Sequence, residues 1–306
     1  MISSPSLAYL LVLATATLFS TGGAAIKLAE LGSWQIGALR SGIAAIVLVA
    51  LVRTARRRWT RRTLLVGVAY ASTMLLFVHA NKLTTAASTI FLQATAPLYV
   101  LLLGPLVLRE PLRRRDLLFL VTLVVGLGLF FVDVEAPTRT APDPLRGNVL
   151  AAAAGLAYAC TIVGLRAMER SPAAGGGEGM AAVVCGNSLA FFIGLPFCFP
   201  LGPLHPGDVA VVVYLGAFQV AVAYLLLTLA VRHVTALETS VLLLLEPVLS
   251  PLWAWLVHGE RPGRWAAAGG ALILGVTLVK TWLEGRWAAH RRRLAGVTPG
   301  TDGPLR

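Results

Sequence analysis

The sequence predicts an all-α polytopic membrane protein of ten transmembrane helices, arranged as an inverted repeat of five plus five. Three observations predict this fold. Apolar runs of about 20 residues recur along the chain, two long segments resemble each other, and arginines concentrate in alternate loops. The composition agrees, since 57% of the residues are hydrophobic, only 13% are charged and the mean hydropathy is +0.77. A soluble domain does not have this composition.

Ten apolar segments are candidates for membrane-spanning helices, and we number them spans 1 to 10. They are predicted at residues 7–29, 34–52, 63–81, 85–108, 117–132, 147–168, 179–201, 208–230, 235–257 and 265–282. A helix needs about 20 apolar residues to cross the hydrocarbon core of a bilayer. Span 5 is the shortest of the ten segments.

The chain contains a duplicated unit. Segment 85–111 resembles segment 235–262 at a constant offset. The rarer residue types that match at this offset are the pairs Pro97 and Pro247, Glu110 and Glu260, and Thr89 and Thr239. Internal similarity at a fixed offset indicates a repeated structural unit. Proline-interrupted spans at corresponding places of two halves indicate the binding region of a transporter.

The distribution of arginines predicts the orientation of the spans. Six arginines lie in loop 53–62 and four in loop 109–115, and both loops are on the same side of the membrane. The positive-inside rule makes that side cytoplasmic, so both termini are predicted to be cytoplasmic as well. The polar linker 133–146 is then extracytoplasmic. Five spans precede it and five follow, so the two halves are predicted to insert with opposite orientations.

The resulting organisation has four parts. The first repeat covers residues 7–132, the extracytoplasmic linker residues 133–146, and the second repeat residues 147–284. Residues 285–306 are basic and then rich in glycine and proline. We predict that they form a disordered cytoplasmic tail whose first part lies near anionic lipid headgroups.

Several other classes of protein are excluded by the same reasoning. The net charge of +12 comes mainly from loop arginines and lacks an aromatic-basic surface pattern, so nucleic-acid binding is not predicted. The cysteines lie in apolar runs without metal or redox spacing, namely Cys160, Cys185 and Cys198. The chain has no nucleotide-binding or hydrolase motif. We therefore expect neither a metal nor a cofactor, and no enzymatic activity.

Motifs in both halves resemble the EamA-type branch of the drug/metabolite transporter superfamily. Span 1 ends in ATLFSTGGAAIKLAE and span 2 carries ALRSGIAAI. Span 4 begins TAASTIFLQATAPLYVLLLGPLVLREPL, and span 6 contains AAGLAYACTIVGLRAME. Span 9 contains LLLLEPVLSPLWAWLVHGERP, and span 10 contains GGALILGV. The resemblance implies ten helices, a central cavity between inverted halves, and substrates such as amino acids, other small metabolites or drugs, which are often exported.

One position departs from this family pattern. The family commonly has a glycine before the glutamate that follows span 4, and here that residue is Arg109. The second half keeps the glycine as Gly259. The departure concerns the turn geometry of the first half and leaves the predicted fold unchanged.

Glu246 lies in the middle of span 9, directly before Pro247. A carboxylate at membrane depth is energetically costly and usually marks a functional site. One interpretation is that Glu246 binds substrate or couples proton movement to transport. The alternative is structural, with the carboxylate satisfying backbone donors at the kink that Pro247 produces.

Arg40 lies in the middle of span 2. A guanidinium group in this position needs a partner or water. In the functional interpretation it pairs with an anionic group of the substrate or with Glu246. In the structural interpretation it snorkels or binds backbone carbonyls between helices.

The equivalent prolines Pro97 and Pro247 are candidate hinges that let each half open and close. The alternative is a static kink that shapes the cavity. Polar side chains of spans 3, 4, 6 and 8 are candidates to line that cavity. They are His79, Asn81, Gln93, Thr95, Tyr99, Tyr158, Gln219 and Tyr224. Each of them has the alternative role of an interhelical hydrogen bond. Trp253 and Trp255 are predicted to be interface anchors.

The predicted protein is a carrier in the inner or plasma membrane that exports small metabolites such as amino acids or drugs by alternating access. A proton gradient or solute exchange would drive it. Its predicted partners are a small-molecule substrate and membrane lipids, with no oligomeric state specified. The alternative substrate is a sugar, nucleotide sugar or lipid-linked compound, which the few candidate cations Arg40, Lys27 and Lys82 disfavour. A receptor or partner subunit without transport activity is a further alternative.

Overall fold

The computed structural model describes residues 5–56, 59–107, 114–132, 134–169, 178–200, 205–230, 233–234 and 236–294. Arg109 and Glu110, which the sequence analysis compares with Gly259 and Glu260, lie outside these residues. The described chain is built from helices, with a single isolated β-bridge between Thr138 and Ala141 of the linker.

The described helices follow the predicted order of spans. Span 1 consists of Pro5–Ser20 and Gly22–Leu28, span 2 of Ser33–Leu51, span 3 of Arg61–Leu83, span 4 of Ala86–Gln93 and Ala96–Val107, and span 5 of Arg114–Leu129. Span 6 is Pro144–Glu169 and span 7 is Glu178–Gly194 followed by the 3-10 turn Leu195–Cys198. Span 8 consists of Pro206–Val213, Tyr214–Val222 and Ala223–Ala230, span 9 of Ala236–Leu243 and Leu245–His258, and span 10 of Arg264–Leu294. A 3-10 turn at Arg53–Arg56 follows span 2.

Length and apolar composition make nine of these described segments able to cross a membrane. The tenth, span 5, contains the shorter apolar helix Asp116–Leu129. This confirms the predicted all-α fold with ten spans. Span 5 is also the shortest segment in the sequence-based prediction.

The two proline-bearing spans are interrupted at equivalent positions. The helix of span 4 breaks at residues 94–95, before Pro97, and the helix of span 9 breaks at Leu244, before Pro247. A proline has no N–H to donate, and its ring pushes away the carbonyl four residues earlier. Both breaks therefore follow from the same local chemistry, repeated in each half.

Two further irregularities have no proline and are absent from the sequence-based prediction. Span 1 breaks at Thr21, and the middle of span 8, Tyr214–Val222, is π-helical. The two features touch, because the hydroxyl of Thr21 lies 2.8 Å from the hydroxyl of Tyr214. π-Helical turns recur at functional sites of helical proteins.

The two halves pack against each other along most of their length. Span 3 lies on spans 6 and 7, span 2 on spans 7 and 8, span 1 on spans 8 and 9, span 4 on span 6, and span 5 on span 10. Small residues permit this close approach. A Cβ atom added to Gly186 of span 7 would lie 2.7 Å from the Cβ atom of Tyr70 in span 3. The space between the halves is therefore bounded by spans from both repeats.

The last helix extends further than predicted. It runs to Leu294, whereas the sequence analysis assigns residues 285–306 to a disordered tail. That prediction is wrong for residues 285–294, because the sequence there contains four arginines and two alanines, which favour a helix, and no proline. Residues 295–306 lie outside the described part of the chain.

Candidate functional site

Glu246 lies at the break of span 9, in the first turn of the helix that begins at Leu245. Its side chain is half-buried. Within the described part of the chain it makes neither a hydrogen bond nor an ion pair. A carboxylate without a partner inside a membrane protein requires water, a proton or a ligand to compensate it.

Three tyrosines from both halves interact with one another, and two of them also interact with this carboxylate. We call them the tyrosine cluster: Tyr70 of span 3, Tyr158 of span 6 and Tyr224 of span 8. The rings of Tyr70 and Tyr224 are 6.0 Å apart between centroids. The hydroxyls of Tyr158 and Tyr224 lie within electrostatic range of Glu246. The site therefore combines a negative charge with aromatic faces and hydroxyl groups.

The members of the tyrosine cluster differ in exposure. Tyr70 is buried, and its hydroxyl accepts a hydrogen bond of 3.2 Å from Nδ2 of Asn187 in span 7. Tyr158 keeps 37% of its surface exposed although it lies within electrostatic range of Tyr70 and Glu246. Tyr158 is therefore the most exposed member of the cluster. Tyr70 and Asn187 are absent from the predicted site, although a tyrosine and an asparagine at membrane depth are recognisable signals.

Arg40 does not pair with Glu246 in the described structure. Its side chain is 1% exposed, and Nη2 donates a hydrogen bond of 3.0 Å to the carbonyl of Met74 in span 3. The same nitrogen lies 3.6 Å from the sulfur of Met74. The guanidinium group also lies within electrostatic range of Tyr70 and Tyr224. Arg40 therefore ties span 2 to span 3 behind the tyrosine cluster.

Gln219 lies in the π-helical part of span 8 and is buried. Its Nε2 donates a 3.5 Å hydrogen bond to the carbonyl of Phe19, and its Oε1 has no partner among the described atoms. A Cβ atom added to Gly22 would lie 2.8 Å from this Nε2. Gln219 is thus packed into the broken part of span 1.

The remaining predicted cavity residues lie apart from Glu246 or use their polar groups locally. Asn81 and Thr95 are fully buried and donate to the carbonyls of Phe77 and Leu92 in their own spans, while Oδ1 of Asn81 has no partner among the described atoms. His79 contacts the carbonyl of Leu75 through Nδ1.

The ring centroid of His79 also lies 4.5 Å from that of Trp34. Tyr99 packs against the hydrophobic cluster around Leu98 and Phe119. Gln93 is half-buried and lies against Gly155 of span 6, close in sequence to Tyr158.

Trp253, which is predicted to be an interface anchor, also contacts span 1. Its indole Nε1 donates a hydrogen bond of 2.9 Å to the hydroxyl of Ser20, at the break of span 1. The side chain is half-buried. Trp255, two residues later, is 46% exposed. Trp253 and Trp255 differ in exposure because residues two positions apart in a helix point to different faces.

A second polar site lies at the end of the molecule that carries linker residues 134–143, which we call the linker end. Here Nζ of Lys27 lies 2.8 Å from Oε1 of Glu260, and the side chains are only 2% and 5% exposed. Lys27 also donates to the carbonyls of Thr84, over 2.8 Å, and Thr140. The other carboxylate oxygen of Glu260 accepts a 3.0 Å hydrogen bond from the backbone N–H of Ala86.

An open pocket of about 510 Å³ lies beside Glu260 of this ion pair. Its walls come from the start of span 4, the linker and the end of span 9, and include Thr85, Glu135, Thr140, His258 and Glu260. The described residues contain no group of three histidine, cysteine or carboxylate side chains that would hold a metal ion.

The sequence profile of the EamA-like transporter family matches residues 6–132 and again residues 145–281. The chain belongs to the EamA-like transporter family. The two matches correspond to the two halves on either side of the linker, which confirms the family and the five-plus-five organisation. This EamA-like protein is therefore a multi-pass membrane transporter.

Comparison with solved structures agrees with the fold of the transporter. A crystal structure of a protein with 22% sequence identity aligns with a TM-score of 0.59. The alignment covers 93% of this chain and 99% of the other chain. No curated protein sequence matches the chain.

For a transporter, the two polar sites suit different tasks. Glu246 and the tyrosine cluster come from spans 3, 6, 8 and 9, and Glu246, Tyr158 and Tyr224 retain accessible surface whereas Tyr70 is buried. The Lys27–Glu260 pair is buried and internally satisfied by charge and by backbone groups. The first arrangement is able to receive a solute, whereas the second holds segments together.

Proposed function

We propose that this EamA-like transporter exports small amphipathic metabolites, such as amino acids or drugs, by alternating access of its two halves. The observation that carries the proposal is the partly accessible, unpaired carboxylate of Glu246 beside the tyrosine cluster. A carboxylate recognises an amine group, and aromatic faces accommodate both cations and apolar groups. The site would therefore bind solutes that combine an amine with an apolar part.

Alternation between two accessible states requires that the site contact both halves. Tyr70 belongs to the first half, whereas Tyr158, Tyr224 and Glu246 belong to the second. The helix breaks before Pro97 and Pro247 would act as hinges, because a broken helix bends with less loss of backbone hydrogen bonding. The solute-binding site would then face one side of the membrane at a time.

Glu246 also supplies a means of coupling. If the carboxylate binds either a proton or the amine of a solute, the two compete for one site, and a proton gradient drives solute movement in the opposite direction. Exchange of one solute for another follows from the same competition. This role depends on the lack of a resident cation beside Glu246 in the described structure.

The transporter would lie in the inner or plasma membrane with both termini in the cytoplasm. Loops 53–62 and 109–115 carry ten arginines in total, and the positive-inside rule places them in the cytoplasm. The linker end, with the Lys27–Glu260 pair, is then extracytoplasmic. The proposed direction of transport is outward.

Of the alternative substrates, namely a sugar, a nucleotide sugar or a lipid-linked compound, those that carry phosphate fit the site less well. Such a substrate carries phosphate, which needs accessible cations. Arg40 is 1% exposed and bound to Met74, and Lys27 is paired with Glu260. Both cations are therefore already engaged and covered.

Flux in proteoliposomes tests the proposal. Vesicles containing the wild type or the Glu246→Gln variant are loaded with labelled amino acids, amines, sugars and a nucleotide sugar, with and without a pH gradient. We expect movement of amine-bearing amphipathic solutes, stimulated by the gradient, and loss of that stimulation in Glu246→Gln. The matched control is Glu30→Gln, which neutralises an exposed carboxylate at the linker end.

Each other outcome contradicts a defined part of the proposal. Gradient-dependent flux that persists in Glu246→Gln would show that Glu246 is a structural acid. Movement of sugars or nucleotide sugars alone would favour the alternative substrate class. A wild type that moves nothing would favour a receptor or partner subunit.

A further inference from the structure

We infer that Lys27 and Glu260 form a latch that closes the linker end of the transporter and that separates when this end opens. The inference rests on the proposed alternating access. It concerns a site that is distinct from Glu246 and the tyrosine cluster. The pair joins several segments of the chain, is buried and has a pocket beside Glu260.

The latch joins four segments of the chain. Lys27 lies at the end of span 1, and Glu260 lies just after span 9. Lys27 also binds the carbonyl of Thr84, before span 4, and the carbonyl of Thr140, in the linker. Lys27 and Thr84 belong to the first half and Glu260 to the second. The halves therefore cannot move apart at this end while these contacts remain.

The start of span 4 strengthens the connection. The first N–H groups of a helix have no partner within the helix. The N–H of Ala86, in the first turn of span 4, donates to Glu260, and the hydroxyl of Thr85 accepts from the N–H of Ser88. The carboxylate of Glu260 thus binds a lysine through one oxygen and a helix N-terminus through the other. Both interactions are favourable for a negative charge.

The turn after span 9 directs Glu260 toward span 1. Gly259 has a left-handed conformation with φ of 68°, and its N–H donates to the carbonyl of Trp255. This turn reverses the chain directly before Glu260. His258 adds a second tie, since its Nε2 lies 2.9 Å from the carbonyl of Ala24 in span 1. The ends of spans 1 and 9 are therefore joined twice.

Burial of the ion pair stabilises the closed state, and the adjacent pocket supplies water when the pair separates. The two side chains are 2% and 5% exposed, so separating them leaves two charges that must be hydrated. The pocket of about 510 Å³ has Glu260 and Thr140 in its wall and opens to the surface. Water from this pocket can reach the carboxylate of Glu260 as soon as the charges separate. The pair is thus dry when closed but adjacent to solvent.

The duplicated unit has an equivalent glutamate in its first copy. Glu110 corresponds to Glu260 at the offset of the duplicated unit, and it lies outside the described residues. The latch therefore consists of the contacts at the linker end.

Cysteine labelling from each side of the membrane tests the latch without any substrate. The three native cysteines, Cys160, Cys185 and Cys198, are first replaced. Tyr158→Cys then places a reporter thiol in the space between the halves. A membrane-impermeant thiol reagent is applied to either face of oriented vesicles. We expect slow labelling from the linker end with the intact latch and faster labelling from the opposite end.

Neutralising the latch should expose the reporter. In Lys27→Met and in Glu260→Gln, labelling from the linker end should rise about tenfold, because the closed state loses the contact that favours it. Lys27→Arg keeps the charge and should restore slow labelling. The matched control is Lys82→Met, since Lys82 lies at the same end and donates to the carbonyl of Ala29 without a carboxylate partner in the described chain.

The double variant Lys27→Met/Glu260→Gln covers the case in which single variants fail to fold. It leaves no lone buried charge, so it should be folded, and it should label about as fast as the single variants. Folded single or double variants that label at the wild-type rate from the linker end would overturn the latch. So would fast labelling of the protein with the intact latch from that end.

The two proposals fail separately. If labelling is unchanged in the latch variants while amine-bearing solutes still move through the wild type, the latch is wrong and the transport function stands. If labelling responds as expected but no solute moves, the latch stands and the proposed substrate class is wrong.

Discussion

The indole nitrogen of Trp253 donates a hydrogen bond to the hydroxyl of Ser20 over 2.9 Å. This bond connects the second helix of span 9 to the break of span 1, next to Thr21. Thr21 in turn contacts Tyr214, the first residue of the π-helical part of span 8. The irregular parts of spans 1, 8 and 9 are therefore held together by side-chain hydrogen bonds.

Replacing Trp253 with phenylalanine should weaken this connection. Trp253→Phe keeps an aromatic ring but removes the donor, and we expect a loss of about 1 kcal/mol in the free energy of unfolding. Thermal unfolding in detergent measures the change. Trp255→Phe is the control, since Trp255 is 46% exposed and should be nearly neutral. Equal effects of the two substitutions would show that the hydrogen bond to Ser20 is unimportant.

Gly259 should tolerate substitution poorly. Its φ of 68° is unfavourable for residues with a Cβ atom, so Gly259→Ala should lower stability by about 1–2 kcal/mol. Gly259→Asn should be milder, because asparagine adopts this conformation more readily. Gly104→Ala serves as the control, since a Cβ atom there has no neighbour within 4 Å. Thermal unfolding of the three variants distinguishes conformational strain from a general intolerance of glycine substitutions.

Gly186→Ala should disturb the contact between spans 3 and 7. The new Cβ atom would lie 2.7 Å from the Cβ atom of Tyr70 and 2.9 Å from the carbonyl of Gly67. We expect destabilisation of about 1–3 kcal/mol, as for other overpacked interfaces. Because Tyr70 belongs to the tyrosine cluster, the half-saturating concentration of transported solute should rise as well.

The control for this experiment is Gly275→Ala in span 10, where a Cβ atom meets nothing within 4 Å. It should leave both unfolding and transport unchanged. If Gly186→Ala behaves in the same way, the two spans are able to separate slightly, and the close packing is not required.

Pro247→Ala should slow transport more than it weakens binding. Alanine restores a backbone donor at the helix break, which favours a continuous, stiffer helix. If bending at this break accompanies opening, the turnover rate should fall about threefold to tenfold while the half-saturating concentration changes little. Pro97→Ala should act similarly through the equivalent break in span 4. Flux measured over a range of solute concentrations separates the two parameters.

Pro251→Ala provides the matched control in the same span. Pro251 lies inside the helix Leu245–His258, which continues past it. A similar loss of turnover in Pro251→Ala would show that the effect is a general one of proline in span 9 rather than of the equivalent breaks.

Tyr158→Phe should weaken binding without abolishing it. The substitution keeps the aromatic face and removes the hydroxyl near Glu246. We expect the binding free energy to weaken by about 1 kcal/mol, which raises the half-saturating concentration about fivefold. Tyr158→Ala should have a larger effect, since it also removes the ring. Tyr99→Phe is the control because Tyr99 packs on a hydrophobic cluster away from this group. A stronger effect at Tyr99 than at Tyr158 would contradict the proposed location of the site.

Much of the fold could be predicted from local chemistry. The bilayer demands long apolar helices, so the spans are visible as apolar runs. Proline removes a backbone donor and disfavours a continuous helix, so a break before Pro97 and before Pro247 can be predicted from the residue type, although the helix continues past Pro251. The duplicated pattern around these prolines indicated two related halves before any contact was known. These features depend on residues that are near one another in the chain.

The candidate site was only partly predictable. Glu246, Tyr158 and Tyr224 were identified because polar groups at membrane depth are rare. Tyr70 and Asn187 are absent from the sequence-based prediction, whereas Asn81 and Thr95 are part of it and donate to carbonyls of their own spans. All of these are polar residues in apolar spans, so sequence alone does not distinguish the face that each one occupies. That distinction depends on which span packs beside it.

By itself, the sequence determined the class of protein, the number of spans, the repeat and the equivalent prolines, because each follows from composition or from neighbouring residues. Only the tertiary structure decided that Arg40 binds Met74 rather than Glu246, and that Lys27 pairs with Glu260. Lys27 and Glu260 are far apart in the chain and acquire their roles only when spans 1 and 9 end at the same place. The burial that gives an ion pair its strength is a property of the packed halves and not of either residue.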